Sequence, residues 1–303
     1  MTAVLDADAP TSGTTNVAPH APLDPHEALQ GARQALLGGQ AVPYLGPALL
    51  DLRTPAPGEA APLPSTPQDL VKRLVAQATV PHKLRNRLTQ AAQYIENFKH
   101  RKTVVKLMNE AFDQVVDPLA FQRWLASLSL PLIVESWYDD TMAEALRQVQ
   151  GLAGWGEVQG LSQSEHFGTW HAFYDPTGVR VRQGASEWPT LLYRPLGGHA
   201  PVGNYLVSDA DYVEVLTEID IQTPIPQEVQ ARRSGRSFVF IGCRFDDQLT
   251  RSFARQIMKR SADRHWAILP DEPTRMEARF LVEQGISRIA MPLGEAVQAL
   301  MGG

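Results

Sequence analysis

The sequence predicts an α/β protein built on a doubly wound parallel sheet, with a helical subdomain inserted into it. In the last third of the 303 residues, short apolar runs alternate with segments of helical period, the pattern of repeated strand–helix units. From residue 67 to residue 128 the period is helical throughout, so several helices are expected in succession with no strand between them. Together these patterns predict a Rossmann-like sheet with helices on both faces and one helical insertion.

The composition restricts the classes of protein to which the chain can belong. A hydrophobic fraction of 44% and a charged fraction of 20% are typical of a globular domain, and no apolar run is long enough to cross a bilayer. The formal net charge of -5 argues against nucleic acid as the main partner. The N-terminus lacks the features of a secretory signal, so we expect a cytoplasmic protein that has no membrane contact.

The cysteine count excludes two kinds of site. Cys243 is the single cysteine, so the chain forms neither an intramolecular disulfide nor a cysteine-rich zinc site, and we expect no zinc. We interpret Cys243 as a buried thiol. His166 and His171 lie near Glu165 and Asp175, but this spacing is not diagnostic of metal ligands, and no metal site is predicted.

The N-terminal part begins with a segment that cannot form a core. Residues 1–24 are rich in Ala, Pro, Thr and Asp, which predicts a disordered tail followed by one domain over residues 25–303. A helix is expected from Pro25 to Leu37, where Gly38-Gly39 ends it, and a buried strand from Ala41 to Gly46.

The predicted helical insertion covers residues 67–128 and contains four apolar stripes. The stripes are Leu70, Leu74, Val75 and Ala78; Leu84, Leu88, Ala91, Tyr94 and Ile95; Val104, Val105, Met108, Ala111 and Phe112; and Leu119, Phe121, Trp124, Leu125 and Leu128. Within it, Lys99-His100-Arg101-Lys102 is locally basic. We interpret this segment as a solvated helix face, with binding of nucleic acid or of an acidic protein surface as the alternative.

The strand–helix alternation resumes with a strand over Pro131–Ser136 and a helix over Asp139–Val149. Residues 151–190 have poor periodicity, which predicts an irregular small subdomain of short antiparallel strands. A strand is expected over Leu191–Leu196, and Ser208 begins a helix because Ser208 and Asp211 resemble a capping box. Further strands are predicted over Ser237–Gly242, His265–Leu269 and Ile286–Met291, and helices over Asp247–Arg260, Thr274–Glu283 and Gly294–Leu300.

In such a sheet, ligands bind beyond the carboxyl ends of the strands, so the segments after the apolar runs carry the functional prediction. These segments are Gly46-Pro47-Ala48-Leu49-Leu50, Ser136-Trp137-Tyr138-Asp139-Asp140, Pro195-Leu196-Gly197-Gly198 and Gly242-Cys243-Arg244-Phe245-Asp246-Asp247. In this order, over residues 40–300, they resemble the sirtuin family and in particular its bacterial sirtuin-like branch.

The resemblance includes departures from the family motifs. In the family's Gly-Ala-Gly-x-Ser loop, Gly46 matches, while Ala48 replaces the second glycine and Leu50 the serine. In Thr-Asn-Tyr-Asp-Asp, Trp137 replaces the asparagine. In Leu-His-Gly, Gly197 replaces the histidine. In the late Gly-x-Ser-x-Asp-Asp motif, Gly242 and both aspartates match, and Arg244 stands at the serine position. The family's acid-tyrosine pair is matched by Asp211-Tyr212.

The resemblance implies NAD as the family's cofactor and implies which chemistry is missing. The family's asparagine places a water and its histidine acts as general base. Gly197 has no titratable atom, and the bulky Trp137 lacks an amide oxygen. We therefore predict a degenerate sirtuin-like pseudoenzyme that binds NAD, ADP-ribose or a protein partner in a regulatory or scaffold role. The candidate cofactor-binding residues are Gly46, Ala48, Tyr138, Asp139, Gly242, Arg244 and Asp247. Among them, the guanidinium of Arg244 is the candidate phosphate-binding group.

Two alternatives remain open. In the first, the protein is an NAD hydrolase or deacylase with a rearranged active site, in which His199 or Asp139 supplies the missing group. In the second, it is a purely structural interaction protein without a ligand. For Asp139, Asp140, Asp246 and Asp247, the competing interpretation is a helix start, where carboxylates cap amides and suit the helix dipole. The sequence does not predict the oligomeric state.

Overall fold

A nine-stranded sheet runs through the centre of the protein in the computed structural model, which describes residues 24–53, 61–182, 185–218 and 224–302. The strands are β1 (Ala41–Leu45), β2 (Leu132–Glu135), β3 (Trp155–Gly160), β4 (His171–Tyr174), β5 (Arg180–Val181), β6 (Thr190–Arg194), β7 (Gly197–Gly198), β8 (Asn204–Tyr205), β9 (Ser237–Ile241), β10 (His265–Ile268) and β11 (Ile286–Ile289). The order in the central sheet is β11-β10-β9-β1-β2-β6-β3-β4-β5, and β7 and β8 form a separate hairpin.

The α-helices cover both faces of this sheet. They are α1 (Pro25–Leu37), α2 (Pro67–Gln77), α3 (Leu88–Lys99), α4 (Arg101–Phe112), α5 (Ala120–Ser127), α6 (Thr141–Gln150), α7 (Asp209–Glu218), α8 (Gln227–Arg233), α9 (Gln248–Ile257), α10 (Arg275–Glu283) and α11 (Leu293–Met301). None of the helices in the described ranges is long and apolar enough to cross a membrane.

The strand order confirms the predicted doubly wound sheet. The strands β2, β6 and β3 lie in this order on one side of β1, and the later strands β9, β10 and β11 lie on the other side, all parallel to β1. The order therefore reverses between β1 and β9, which pair from Ala41↔Ser237 to Leu45↔Ile241. This position is the topological switch point, where α/β sheets of this type bind ligands.

The two faces of the sheet carry separate cores, because successive strand residues point to opposite sides. On one side, Val42 and Phe240 pack with α2, α3, α4, α9 and α10. On the other, Leu45 and Ile241 pack with α1, α5, α6 and α11. Both faces are buried, which is why the strands read as continuous apolar runs in the sequence.

The four helices predicted within residues 67–128 are present, but they lie on different faces of the sheet. The helices α2, α3 and α4 pack together on one face, while α5 packs against α6 and α11 on the other. The predicted insertion is therefore divided between the two helical layers, with α2–α4 in one and α5 in the other. The apolar stripe of α5 gave no indication of which face it covers.

The region predicted as an irregular small subdomain, residues 151–190, instead extends the central sheet. Its strand β3 pairs in parallel with β6, and the expected antiparallel pairing holds for β4 and β5. All six residues of β3 are buried, so the strand lacks the alternation that identifies a half-exposed strand.

The capping box predicted at the start of α7 is confirmed. Ser208 and Asp211 form the expected capping box, since each backbone N–H donates to the other's side chain at 2.9 and 3.3 Å. Residues 1–23 of the predicted tail lie outside the described residues, and Asp24 caps α1 by accepting the His26 N–H at 2.9 Å. The short helix α8 was not predicted.

Candidate active site

The loops that follow β1 and β9 meet at the switch point. A side chain on Gly46 would place its Cβ 2.4 Å from the Gly242 carbonyl oxygen and 2.7 Å from Cys243 Sγ. Gly242 has a φ of 72°, a conformation that favours glycine. The contact between the two loops therefore requires glycine at both positions, whether or not a ligand binds there.

Backbone amides of the first loop donate hydrogen bonds within the chain. The Gly46 N–H donates to the Ile241 carbonyl at 2.9 Å, the Ala48 N–H to the Gly242 carbonyl at 3.1 Å, and the Leu49 N–H to the Gly46 carbonyl at 3.3 Å. Pro47 has no N–H. A phosphate held at such a loop depends on free backbone donors, and these amides are engaged.

Trp137, which the sequence comparison predicts to stand at the family's asparagine position, is part of an aromatic cluster. Its side chain is 4% exposed, and its ring centroid lies 6.1 Å from that of Phe112 and 5.1 Å from that of Tyr138. Its Nε1–H donates to the Pro64 carbonyl at 2.8 Å, and the Tyr138 hydroxyl donates to the Leu206 carbonyl at 2.7 Å. The indole thus connects the end of β2 to the segment preceding α2.

Gly197, which is predicted to stand at the position of the family's histidine, lies in the β7–β8 hairpin opposite Tyr205. Its φ is 76°, and a Cβ there would lie 2.2 Å from the Asn204 carbonyl oxygen. The backbone itself therefore excludes a histidine side chain at this position unless the hairpin moves.

The candidate residues after β9 have partners within the chain. Arg244 donates from Nε and Nη2 to the Glu277 carboxylate at 3.1 and 3.2 Å, and from Nη1 to Asp271 at 3.0 Å. Asp247 caps α9 by accepting the Leu249 N–H at 2.7 Å. These contacts fit the alternative interpretation of Asp247 as a helix start, and they hold the Arg244 guanidinium between carboxylates.

Sequence reasoning missed the buried Arg194, which ends β6 and connects two loops. Its Nη1 donates to Asp140 Oδ1 and to the Ala200 carbonyl, each at 3.0 Å. Its Nη2 donates to the carbonyls of Tyr138 at 3.0 Å and Asp139 at 2.6 Å. The guanidinium therefore fixes the turn between β2 and α6 against the segment after β7.

Carboxylates surround this guanidinium. Glu135 Oε2 faces Arg194 Nε at 3.4 Å without hydrogen-bond geometry, and Glu157 Oε2 lies 3.7 Å from Nη1. Burial raises the pKa of Glu135 well above its usual range and the pKa of Glu157 to about 7. Burial also raises the pKa of Asp139, whose carboxylate accepts the Thr141 N–H at 3.1 Å. The available sequence signal was the carboxylate of Glu135 at the end of the apolar strand β2, whereas β3 has no apolar run around Glu157.

His199 and Asp140 form a dyad beside this cluster. His199 Nδ1 lies 2.9 Å from Asp140 Oδ2, and this hydrogen bond raises the pKa of His199. Although burial opposes it, the Arg194 charge and the hydrogen bonds from His199 and Ala200 hold the pKa of Asp140 below its usual range. A carboxylate that orients an imidazole is the arrangement of a general base.

The dyad faces a cleft of about 230 Å³ beyond the ends of β2 and β6. Asp140, His199, Arg194 and Glu157 contribute its polar surface. The apolar walls include Leu63, Phe112, Val115, Val116, Pro176 and Pro201.

The remaining sequence predictions are tested by burial. Cys243 is buried as expected, and burial raises the pKa of its thiol to about 12. Arg101 is not part of a solvated basic face, because it is 9% exposed and pairs with Asp211 at 2.9 Å and Glu165 at 3.0 Å. Lys99 and Lys102 are exposed. The ranges covered by the structure contain no group of three or more His, Cys, Asp or Glu side chains placed to hold a metal.

Comparison with known proteins places the chain in a family. A search of curated proteins finds no match. The family model described as SIR2-like domain matches residues 131–289, which is more than half of the chain and includes the motifs after β2, β6 and β9. The resemblance seen in the sequence is thereby confirmed at the level of the family. The chain belongs to the SIR2-like domain family, which is related to NAD.

Proposed function

We propose that this protein is a catalytically inactive member of its family that works as a scaffold or regulatory module. The observation that carries the proposal is the backbone at Gly197, which excludes an imidazole where the family's general base stands. Trp137 is buried in an aromatic cluster at the asparagine position, so no amide oxygen is available there to orient a water.

The switch point supports the same proposal. The loop amides of Gly46, Ala48 and Leu49 donate within the chain, and Arg244 is paired with Glu277 and Asp271. A dinucleotide would have to break these contacts before its phosphates gained donors. We therefore propose that NAD and ADP-ribose bind weakly or not at all, and that the function lies in contact with a protein partner.

Calorimetric titration of NAD and ADP-ribose, with thermal unfolding of the same samples, tests this proposal. A ligand at a hundred times its Kd raises the free energy of unfolding by about 2.7 kcal/mol, so specific binding would raise the melting temperature. We expect no heat of binding and an unchanged melting temperature with either nucleotide at millimolar concentration. Micromolar binding that is lost in an Arg244→Ala variant would overturn the proposal.

A second candidate function is supported by the His199–Asp140 dyad, which has the geometry of a general base next to a cleft. In this alternative the protein is an NAD-dependent deacylase or NAD hydrolase with a relocated base. Incubation with NAD and an acetyl-lysine peptide, followed by mass spectrometry, tests it. Turnover lost in His199→Ala and retained in the exposed control His82→Ala would favour the enzyme. No turnover in the wild type would exclude it for this substrate.

A further inference from the structure

The positive charge of the chain is concentrated in one helical segment. Residues 67–112, which contain α2, α3 and α4, have nine Lys and Arg against three Asp and Glu, a net charge of +6. The whole chain has a net charge of -5, so the residues outside this segment carry -11. A surface region dominated by one sign of charge attracts ligands of the opposite sign, which here are polyanions.

The corner between α3 and α4 carries positive charge that the chain does not neutralise. Lys99 ends α3 and Lys102 lies in the first turn of α4. Both are exposed, and neither forms an ion pair with a described residue. The carboxylates of Glu96 and Glu165, which adjoin the corner, pair instead with the buried Arg101 at 3.3 and 3.0 Å. The two lysines therefore lack a counter-charge within the described ranges.

The rest of α4 does not supply that counter-charge. Glu110, an exposed carboxyl, pairs with Lys106 on the same helix at 3.6 Å, so this turn is neutral. Asp113 follows the last residue of α4, about 16 Å from Lys102 along the helix axis. That distance exceeds the screening length at physiological salt, which is about 8 Å.

The same corner carries the exposed aromatic side chains of the protein. All Phe, Tyr and Trp residues lie in the described ranges, and among them Phe98 and Phe167 are the exposed ones, by 65% and 94%. Phe98 precedes Lys99 in the last turn of α3, and its ring centroid lies 4.4 Å from that of Tyr94. Aromatic side chains gain much from burial, so two solvated rings beside unpaired lysines favour a surface that a ligand covers.

Two contacts place Phe167 at this corner. Ser164 Oγ donates to Glu96 Oε1 at 3.0 Å, and Arg101 Nε donates to Glu165 Oε2 at 3.0 Å. One contact is made by α3 and the other by α4, just before and just after the junction of the two helices. The segment that carries Phe167 is therefore bound to both helices, and both exposed rings adjoin the two lysines.

The combination of unpaired lysines and solvated rings distinguishes between polyanions. Lysine attracts phosphate as a point charge, and aromatic rings stack on nucleic-acid bases. The bases of a duplex are already stacked on one another, so a ring on a protein surface reaches them in single strands. An acidic protein surface offers carboxylates to the lysines, but carboxylates do not stack on rings. The corner therefore fits a single-stranded nucleic acid better than an acidic protein.

We propose that the α3–α4 corner binds single-stranded nucleic acid, with phosphates at Lys99 and Lys102 and bases stacked on Phe98 and Phe167. The corner contains none of the family's motif positions. The proposal is therefore independent of the catalytic inactivity proposed above, and it adds a second class of partner to the protein.

Fluorescence anisotropy of a labelled oligothymidylate of about 12 nucleotides, titrated with the full chain, tests the proposal. We expect a micromolar Kd at about 50 mM salt that weakens at about 200 mM, because lysine–phosphate contacts release counterions. Lys99→Gln/Lys102→Gln should weaken binding at least about tenfold and reduce the salt slope by about 1.4. Phe98→Ala and Phe167→Ala should each weaken it about fivefold or more, through lost stacking.

Two controls separate the corner from general effects of charge and apolar area. Arg255→Gln/Arg279→Gln removes the same charge from α9 and α10, where both arginines pair with Glu283. Val282→Ala shortens an apolar side chain on α10 that is 71% exposed. Both controls should bind like the wild type. Thermal unfolding verifies that every variant is folded.

Competition with a duplex of the same length and with poly-glutamate identifies the class of partner. We expect each to displace the labelled strand at least about tenfold less effectively than an unlabelled single strand. Equal displacement by poly-glutamate would assign the corner to an acidic protein, and equal displacement by the duplex would remove the stacking; either result overturns the proposal. So does an absence of binding in the wild type, or wild-type affinity in the folded lysine or phenylalanine variants.

Discussion

The β7–β8 hairpin leaves no room at Gly197 for a side chain larger than a hydrogen atom. The φ of 76° is a conformation that L side chains rarely adopt, and the Asn204 carbonyl occupies the place of a Cβ at 2.2 Å. The missing imidazole is therefore linked to the local backbone. A single reversion cannot restore it without rebuilding β7 and β8.

Reversion of Gly197 to histidine should destabilise the protein and should not restore catalysis. The control is Gly39→His, because Gly39 also has a positive φ, 65°, but no atom lies within 4 Å of the position that its Cβ would take. We expect Gly39→His to cost about 1–2 kcal/mol in backbone strain. Gly197→His should cost at least about 2 kcal/mol more because of the added overlap. Denaturant unfolding compares them, and equal stabilities would refute the steric explanation.

The Asp140 carboxylate is expected to control the ionisation of His199. In Asp140→Asn the ring loses a charged hydrogen-bond partner at 2.9 Å, so the pKa of His199 should fall. NMR titration of the histidine ring protons measures this change. The internal reference is His265, whose pKa is lowered to about 4 by burial elsewhere in the sheet and should stay unchanged. An unchanged His199 titration would show that the dyad does not form in solution.

Glu157 is expected to impose a pH dependence on stability. Its carboxyl has a pKa of about 7 in the folded state against an ordinary value of 4.5. Between these values the folded protein holds a proton that the unfolded chain has lost, so stability falls as pH rises through this window. Glu157→Gln should remove this fall, which is on the order of 3 kcal/mol for one such group.

Urea unfolding at intervals from pH 5 to pH 8 measures that contribution as the difference between wild type and variant. The raised pKa of His199 also makes stability fall as pH rises. Because His199 is present in both proteins, its contribution cancels when the variant's free energy of unfolding is subtracted from that of the wild type. Glu110→Gln should follow the wild-type profile. Parallel profiles for wild type and Glu157→Gln would mean that the carboxyl titrates normally.

Among the elements, the loops after β1 and β9 depend on each other through direct backbone contact. Gly46 approaches the Gly242 carbonyl so closely that any side chain would separate the two loops. The same contact engages amides that a phosphate would need, so the packing of these two loops opposes phosphate binding between them.

Gly46→Ala is expected to destabilise the protein by about 2 kcal/mol or more, since its Cβ would meet backbone atoms that cannot move independently. Gly294→Ala in α11 is the matched control, because its Cβ would meet only Leu52 Cδ2 at 3.6 Å. Alanine favours a helix over glycine, so this control should be neutral or more stable by up to about 1 kcal/mol. Thermal unfolding measures both, and a neutral Gly46→Ala would contradict the close contact.

Most elements could be predicted because their signals are local. Helix α1 has the predicted bounds, Thr274 and Glu277 form a capping box at the predicted start of α10, and the strands at the switch point follow their apolar runs. The parallel pairing of β3 and the face covered by α5 could not be predicted, since both depend on contacts between distant segments.

At the scale of the whole molecule, one sheet presents two different places at its carboxyl edge. At the switch point, between β1 and β9, the loops pack on each other. Beyond β2 and β6, a small cleft exposes the His199–Asp140 dyad and the Arg194 cluster. The Gly46 and Gly242 motifs led from the sequence to the first place, and the motifs after β2 and β6 led to Asp140 and His199 at the edge of the second. The second combines Glu135, Glu157 and Arg194 from three strands, and no spacing along the chain indicates that these side chains meet.

The most direct test of the proposed catalytic inactivity is chromatographic measurement of nicotinamide from NAD incubated with purified protein. With the general base excluded at Gly197 and Trp137 buried at the asparagine position, nicotinamide release should equal that of buffer alone over hours, with or without an acylated peptide. Release that grows linearly with time and with protein concentration would contradict this conclusion.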